Sequence, residues 1–361
     1  MNIGVIRESY PGDRRVALTP PVARRLAEAG HKVWVEAGAG SGAMYADPEY
    51  IRAGAEIAYS KAEVIQRADL VAKVAVPSVE ELRLCRPGMA VMAFYHMAVA
   101  DRAVYETLIE HSITAVGCEI IQMDDRRLPV LAPISAVAGQ MTVPLAAHLL
   151  LSSSGGRGIL LGGSPGVPPA NVAILGAGNV GSASARTAAA TGARVTVLDT
   201  DPEKLRRLLE HLPNVATSLS DTESVAAAVA AADVVIGAVL VAGTRAPRVV
   251  TRAMVEAMRP GAAILDISID QGGCVETSRP TTIAAPTFVY RGVTHYSVPN
   301  LTADLGRGAS IAIAEAMLPY LLAIAASGME AAISRRPDLA RGIYTHGGRC
   351  VSPTLAEAWH A

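Results

Sequence analysis

At 361 residues, 51% of them hydrophobic and only 18% charged, the chain is long enough for two ordinary cores and too apolar for a disordered protein. Its formal net charge of −1, with no long basic run, recommends neither nucleic acid nor an anionic membrane as a partner. The cysteines, Cys85, Cys118, Cys274 and Cys350, lie far apart with no Cys-x-x-Cys pair, so no metal site is expected, and free thiols suit the cytoplasm.

The chain opens directly on a strand, Ile3-Gly-Val-Ile6, with no signal-like segment before it. A helix from Pro20 to Ala29, the strand Lys32–Glu36 and a helix near Pro48 to Ala53 follow. Next come the strands Leu70–Val74 and Ala90–Phe94, a helix near Ala100 to His111, and the strand Thr114–Gly117. Such βα alternation implies a mostly parallel sheet covered by helices. The Gly/Ser/Pro-rich stretch 152–169 reads as a loop with room for a short hairpin. A second series then runs through strands at Val172–Leu175, Val195–Leu198, Val234–Gly237, Ala263–Asp266 and Phe288–Tyr290.

Two apolar stretches, 128–151 and 310–329, are interrupted by Pro133, Gln140, Pro144 and His148 and by Glu315 and Pro319. A bilayer span seldom carries such residues, so both read as helices buried between domains. The expected fold is α/β, with two doubly wound Rossmann-like domains and a substrate and cofactor cleft between them. Residues 131–304 form the nucleotide domain, and 1–130 with 305–361 form a discontinuous substrate domain.

Chemistry is most visible at Gly176-Ala-Gly178-Asn179-Val180-Gly181, a Gly-x-Gly-x-x-Gly between the run Asn171–Leu175 and a helix-prone segment. In such a turn the first glycine permits the bend, the second lets a pyrophosphate approach the backbone, and the third lets helix and strand pack closely. Asp199 ends the next strand, where the fingerprint places an acceptor for the ribose hydroxyls. A carboxylate there repels a 2′-phosphate, so the expected cofactor is NAD rather than NADP. Lys204, Arg206 and Arg207 have the spacing of a solvated helix face, not of a phosphate clamp.

Several motifs together resemble the alanine dehydrogenases and their relatives, the soluble nucleotide-binding subunits of proton-translocating transhydrogenases. They are Ile3–Glu8, Arg14–Pro20, Glu36–Gly40, Phe94-Tyr-His96, Leu131–Ser135, Gly158–Gly166, Gly237–Val241, Asp266–Gly273 and Ser278–Thr282, spread over nearly the whole chain. The histidine at 96, which the transhydrogenase subunits lack, favours the dehydrogenase branch. The resemblance implies reversible NAD-dependent oxidative deamination of L-alanine or a related amino acid to a 2-oxo acid and ammonia, in a homo-oligomer, often a hexamer. It implies His96 as the acid/base, Asp270 as a carboxylate near the reacting carbon, and Arg15 as a grip on the substrate. It places Ser135, Val239, Leu240 and Asn300 beside the cofactor.

The match departs from the family around the substrate. Where the family reads Lys-Val-Lys-Glu-Pro, this chain reads Lys73-Val-Ala75-Val-Pro77, so Ala75 stands at the position of a substrate-binding lysine. Ser135 is followed by Ala136 rather than Glu, and Asn300 by Leu301 rather than Met-Pro. The departures suggest retained cofactor chemistry with an altered substrate. Two alternatives stay open: a dehydrogenase or imine reductase for a different amine, and an NAD-binding homologue without turnover.

Outside the resemblance each residue has a plainer reading. A lone histidine after an apolar strand is commonly a buried hydrogen-bonding group, Arg15 a surface loop residue beside Asp13 and Arg14, and Asp266 a structural carboxylate. Lys73 could stand in for the missing lysine if 73 and 75 share a strand face.

Overall fold

The computed structural model describes residues 1–353, 355 and 356. The chain divides into two compact units, one of 1–134, 242–244 and 302–361, the other of 135–241 and 245–301. Both are α/β, each around one mixed, mostly parallel sheet, and both are Rossmann-like.

In the first unit the strands are β1 (Asn2–Val5), β2 (Lys32–Glu36), β3 (Glu56–Ala58), β4 (Leu70–Ala72), β5 (Ala90–Ala93) and β6 (Thr114–Gly117). They stand side by side in the order β3-β2-β1-β4-β5-β6, all parallel. This is the 3-2-1-4-5-6 order of a doubly wound sheet, whose ligand crevice opens where the order reverses, between β1 and β4.

The second unit repeats that plan. Its strands are β7 (Asn171–Leu175), β8 (Arg194–Asp199), β9 (Ala216–Leu219), β10 (Val234–Gly237), β11 (Ala263–Asp266), β12 (Thr287–Tyr290) and β13 (Val293–Tyr296). The order is β9-β8-β7-β10-β11-β13, with β12 added antiparallel at the edge. Alternate residues feed opposite faces: Val172, Ile174, Val197 and Ile236 join one buried cluster, and Ala173, Leu175, Leu198 and Val235 join another. Both faces are therefore covered, as a parallel sheet requires.

The chain returns to the first unit at its end, where β14 (Ile343–His346) pairs antiparallel with β6, and β15 (Arg349–Cys350) pairs with β14. These strands, with β3, β9 and β13, are additional to those read from the sequence. Each mixes polar residues into two to four positions (Glu56 in β3, Thr217 and Ser218 in β9, Thr294 and His295 in β13, Thr345 and His346 in β14, Arg349 in β15), so none gives a clear apolar run.

Local chemistry starts and stops the helices. Ser78 and Glu81 form a capping box ahead of Val79–Arg83, and Asp201 accepts the N–H of Glu203 at 2.9 Å to start Pro202–His211. On that last helix Arg206 pairs with Glu203 and Glu210, an exposed face as its spacing suggested. In the 152–169 loop Ser164 and Val167 exchange backbone hydrogen bonds, giving one small hairpin bridge.

The long apolar helix runs over Gly306–Ser327. Ala309, Ile313, Met317, Leu321 and Ile324 make its buried side, and Glu315 on the outer side meets Arg25 at 2.8 Å. It is a core helix that packs on the helix Pro20–Glu28 of the same unit.

Candidate active site

In the second unit the glycine turn sits at the carboxyl end of β7, at the point where strand order reverses. Gly176 has φ +105°, and a Cβ there would stand 2.5 Å from the Ala238 carbonyl oxygen. A Cβ on Gly181 would stand 1.8 Å from the Gly176 oxygen, so only glycine allows the helix to come this close. At Gly178 nothing lies within 4 Å of a Cβ. That open position caps the helix Asn179–Ala190, whose first N–H groups point at whatever fills the space. The residues present therefore fit a pyrophosphate, with two glycines fixing the turn and the third leaving room. Asn179 is exposed and Val180 half-buried on the opening turn of that helix.

Asp199 closes the turn from β8. Its Oδ2 accepts the N–H of Ala177 at 2.7 Å, its Oδ1 accepts that of Asp201 at 2.9 Å, and Lys204 Nζ lies 3.6 Å away. The carboxylate is 7% exposed, so it braces the turn from below while keeping an edge toward solvent. Ser135 is half-buried in the helix Leu131–Leu149. After β10, the Val239 carbonyl accepts the Ser268 hydroxyl at 2.8 Å, and Leu240 is exposed.

Asp270 does not continue β11. The strand ends at Asp266, and 267–271 form a 3₁₀ turn. Asp266 causes the turn: fully buried, it accepts the N–H groups of Cys274 and Val275, folding the chain back on itself. Burial raises the pKa of Asp266, an effect these hydrogen bonds only partly offset, as befits a structural carboxylate. Asp270, half-buried, accepts the N–H of Asn300 at 2.7 Å and so holds that residue in the left-handed region, at φ +54°.

In the first unit a carboxylate stands at the corresponding position, where the strand order reverses between β1 and β4. Glu8 accepts the N–H groups of Val74 at 2.7 Å and Ala75 at 3.1 Å, and its Oε2 lies 2.8 Å from Lys73 Nζ. The strand β4 ends at Ala72, two residues earlier than its apolar run predicts; Lys73 N–H still donates to the Met92 carbonyl and Phe94 N–H to that of Val74, and the chain bends at Val74 and Ala75, where Glu8 takes the free N–H groups. The strand-face relationship between 73 and 75 is thereby lost. Lys73 is fully buried, held by Glu8 and, at 3.6 Å, by Glu81, which also pairs with Lys61. Ala75 itself is 4% exposed.

Arg15 is no surface residue. It is 4% exposed, gives Nε and Nη2 to the two oxygens of Asp13 at 2.9 and 2.6 Å, and gives Nη1 to Thr302 Oγ1 at 3.2 Å. Arg14 is the exposed one, near Asp304. The fork of Arg15 is thus fixed in orientation by a bidentate carboxylate partner.

His96 follows β5 and adopts φ +48°, unusual for a residue with a side chain. Its ring lies near that of Phe94, with centroids 6.4 Å apart, and its Nδ1 is buried without a hydrogen-bond partner among the described residues. Its N–H donates to Glu119 at 2.6 Å. Glu119, Asp13 and Thr302 carry no local signature in the sequence, and Glu8 shows only as the last residue of the motif Ile3–Glu8. Glu8 and Arg15 meet partners at separations of 65 and 287 residues, beyond any periodicity a window could detect.

Residues 4–138 match the N-terminal domain, and 142–353 the C-terminal domain, of the alanine dehydrogenase/PNT family. The chain belongs to that family. It is 41% identical over 357 residues to an alanine dehydrogenase of Mycobacterium tuberculosis (strain CDC 1551 / Oshkosh), covering 99% of this chain and 96% of that protein. A solved L-alanine dehydrogenase superposes with a TM-score of 0.92 at 39% identity, covering 100% and 99% of the two chains. The transhydrogenase from Sinorhizobium meliloti gives 0.81 at 27% identity, covering 98% and 99%. This alanine dehydrogenase homologue therefore stands with the NAD-dependent oxidoreductases that act on CH–NH2 groups.

Proposed function

We propose that the protein is an NAD-dependent amino-acid dehydrogenase of the alanine dehydrogenase type with an altered substrate preference. The observation that carries the catalytic reading is the imidazole of His96, set at the carboxyl end of a parallel strand with a buried nitrogen that no group among the described residues satisfies. Leaving such an atom unpaired costs about 1–3 kcal/mol, a cost recovered when a substrate group supplies the bond.

Gly176, Gly178, Asn179, Val180 and Gly181 would hold the pyrophosphate of NAD and Asp199 its ribose, with Ser135, Val239, Leu240 and Asn300 beside it. When bound, NAD accepts a hydride from the substrate carbon or, reduced, returns one. His96 takes the proton released as the amine becomes an imine and water adds, and gives it back in the reverse direction. Asp270 holds the Asn300 backbone and adds negative charge near the developing iminium. Arg15, already aligned by Asp13, orients the substrate carboxylate.

Ala75 carries the proposal of altered preference. The family's lysine charge is absent there, and Lys73 is committed to Glu8 and Glu81. The substrate would bring its own polar or bulky group instead. A screen of 2-oxo acids with ammonia and NADH, followed by absorbance, tests both parts. Robust turnover on pyruvate alone would remove the altered preference, and NAD binding without turnover on any amine would favour a non-catalytic homologue. His96→Ala should lower turnover by roughly 10²- to 10⁴-fold with NAD affinity nearly unchanged, the size of general acid/base help. A variant with near-normal turnover would make His96 structural.

A further inference from the structure

Resting on His96 as the acid/base group, we propose that Glu119 is a positioning residue for it, and that the C-terminal strand controls that position through Tyr344. Glu119 lies in the turn after β6, 2% exposed, and among the described residues it has no ion-pair partner. A buried carboxylate without a countercharge is costly unless donors converge on it. Here three do: Tyr95 N–H at 3.2 Å, His96 N–H at 2.6 Å and the Tyr344 hydroxyl at 2.9 Å.

The two backbone donors are consecutive, and the second belongs to a residue in the left-handed region. L side chains visit that region uncommonly and at a cost that surrounding contacts must offset. The carboxylate supplies such a constraint, because charge-assisted bonds are shorter and stronger than neutral ones. It holds the backbone from which the imidazole projects while leaving the ring itself to the substrate.

Tyr344 completes the clamp from the far end of the chain. Its ring is 1% exposed, packs edge-on against Tyr95 with centroids 6.0 Å apart, and occupies the space a Cβ on Gly117 would need, 2.4 Å from Cε2. Burial and the neighbouring carboxylate keep the phenol protonated, so it remains a donor. The strand β14 thus locks the loop that carries His96 although 248 positions separate the tyrosine from the histidine.

A double-mutant cycle separates positioning from general support. Tyr344→Phe and Glu119→Gln are made in the wild type and in His96→Ala, and kcat, the KM for NAD and thermal unfolding are measured on the full chain. In the wild type, Tyr344→Phe should lower kcat by about 3- to 10-fold and Glu119→Gln by about 10- to 150-fold, the latter being the loss of a charge-assisted bond, with the KM for NAD little changed. In His96→Ala both changes should alter the residual kcat by less than about two-fold. Equal losses in the two backgrounds, or full kcat in both single variants, overturns the proposal. Tyr344→Phe, which deletes only an oxygen, carries the test if Glu119→Gln does not fold. Near-normal turnover of His96→Ala by itself would show instead that the underlying acid/base reading has failed.

Discussion

Lys73 Nζ lies 2.8 Å from Glu8 Oε2, and neither side chain is more than 1% exposed. The pair sits at the point where strand order reverses in the first unit, the position that the glycine turn leaves open in the second. One topology therefore serves two purposes, and the difference is a carboxylate that satisfies the loop after β4 from within.

Breaking this pair should be costly. Lys73→Met would leave Glu8 buried without its cation and should cost about 3–5 kcal/mol in denaturant unfolding, whereas Glu8→Gln combined with Lys73→Met should recover much of that loss. Burial opposes the charge on Lys73, but Glu8 and Glu81 more than offset it and raise its pKa. A base that binds its proton more tightly when folded contributes stability that is complete below its unfolded pKa, about 10.4, and is lost as pH rises through the higher folded value. Wild-type stability should therefore fall above about pH 10.4 by an amount missing from the double variant. Identical alkaline profiles for the two proteins would contradict this account.

The glycine turn yields a paired test. Gly178→Ala meets no atom within 4 Å, and Gly178 has φ −74°, so the variant should unfold like the wild type while binding NAD at least about ten-fold more weakly, because the new methyl occupies phosphate space. Gly181→Ala should instead cost about 1–3 kcal/mol or more of stability by pushing the helix off the strand. Calorimetry and thermal melting would distinguish them. A Gly178→Ala protein with wild-type NAD affinity would argue against the pyrophosphate site.

Asp199 should set cofactor choice. The wild type should bind NAD much better than NADP, since a 2′-phosphate would meet a carboxylate whose nearest cation, Lys204, is 3.6 Å away and half exposed. Asp199→Ala should weaken NAD by about 10- to 150-fold and narrow the ratio, because it removes both the ribose acceptor and the brace on Ala177. Equal affinities of the wild type for the two cofactors, measured by calorimetry, would count against this role.

These residues differ in how far the sequence alone reveals them. Gly176, Gly178, Gly181 and Asp199 act through a contiguous strand-turn-helix-strand, so their spacing carries their geometry. Most of the parallel strands were legible as short apolar runs between turn signals, but β3, β9 and β13 were not. Asp270 was legible as a residue but not in conformation, because the buried Asp266 bends the chain before it. Likewise the bend after β4 is held by Glu8, 66 positions from Val74. Glu119 and Tyr344, 225 positions apart, and the four residues of β14 leave no periodic mark at all.

Ala75 offers the sharpest test of substrate preference. The position is buried, its N–H is held by Glu8 at 3.1 Å, and the nearby Lys73 cannot supply the missing charge without abandoning two carboxylates. A charged hydrogen bond to substrate is worth about 1.5–3 kcal/mol, so if Ala75 stands where a substrate-binding lysine would, its absence should cost roughly 10- to 150-fold in efficiency on alanine or pyruvate. A larger loss follows if that charge acts chiefly on the transition state. Ala75→Lys should then raise pyruvate amination by roughly ten-fold or more, while lowering activity on the substrate that the wild type prefers. Steady-state amination rates for both proteins across a panel of 2-oxo acids measure this directly. If the wild type already turns over pyruvate efficiently, or if Ala75→Lys leaves the whole panel unchanged, another cation must be holding the substrate and the idea of a changed preference falls.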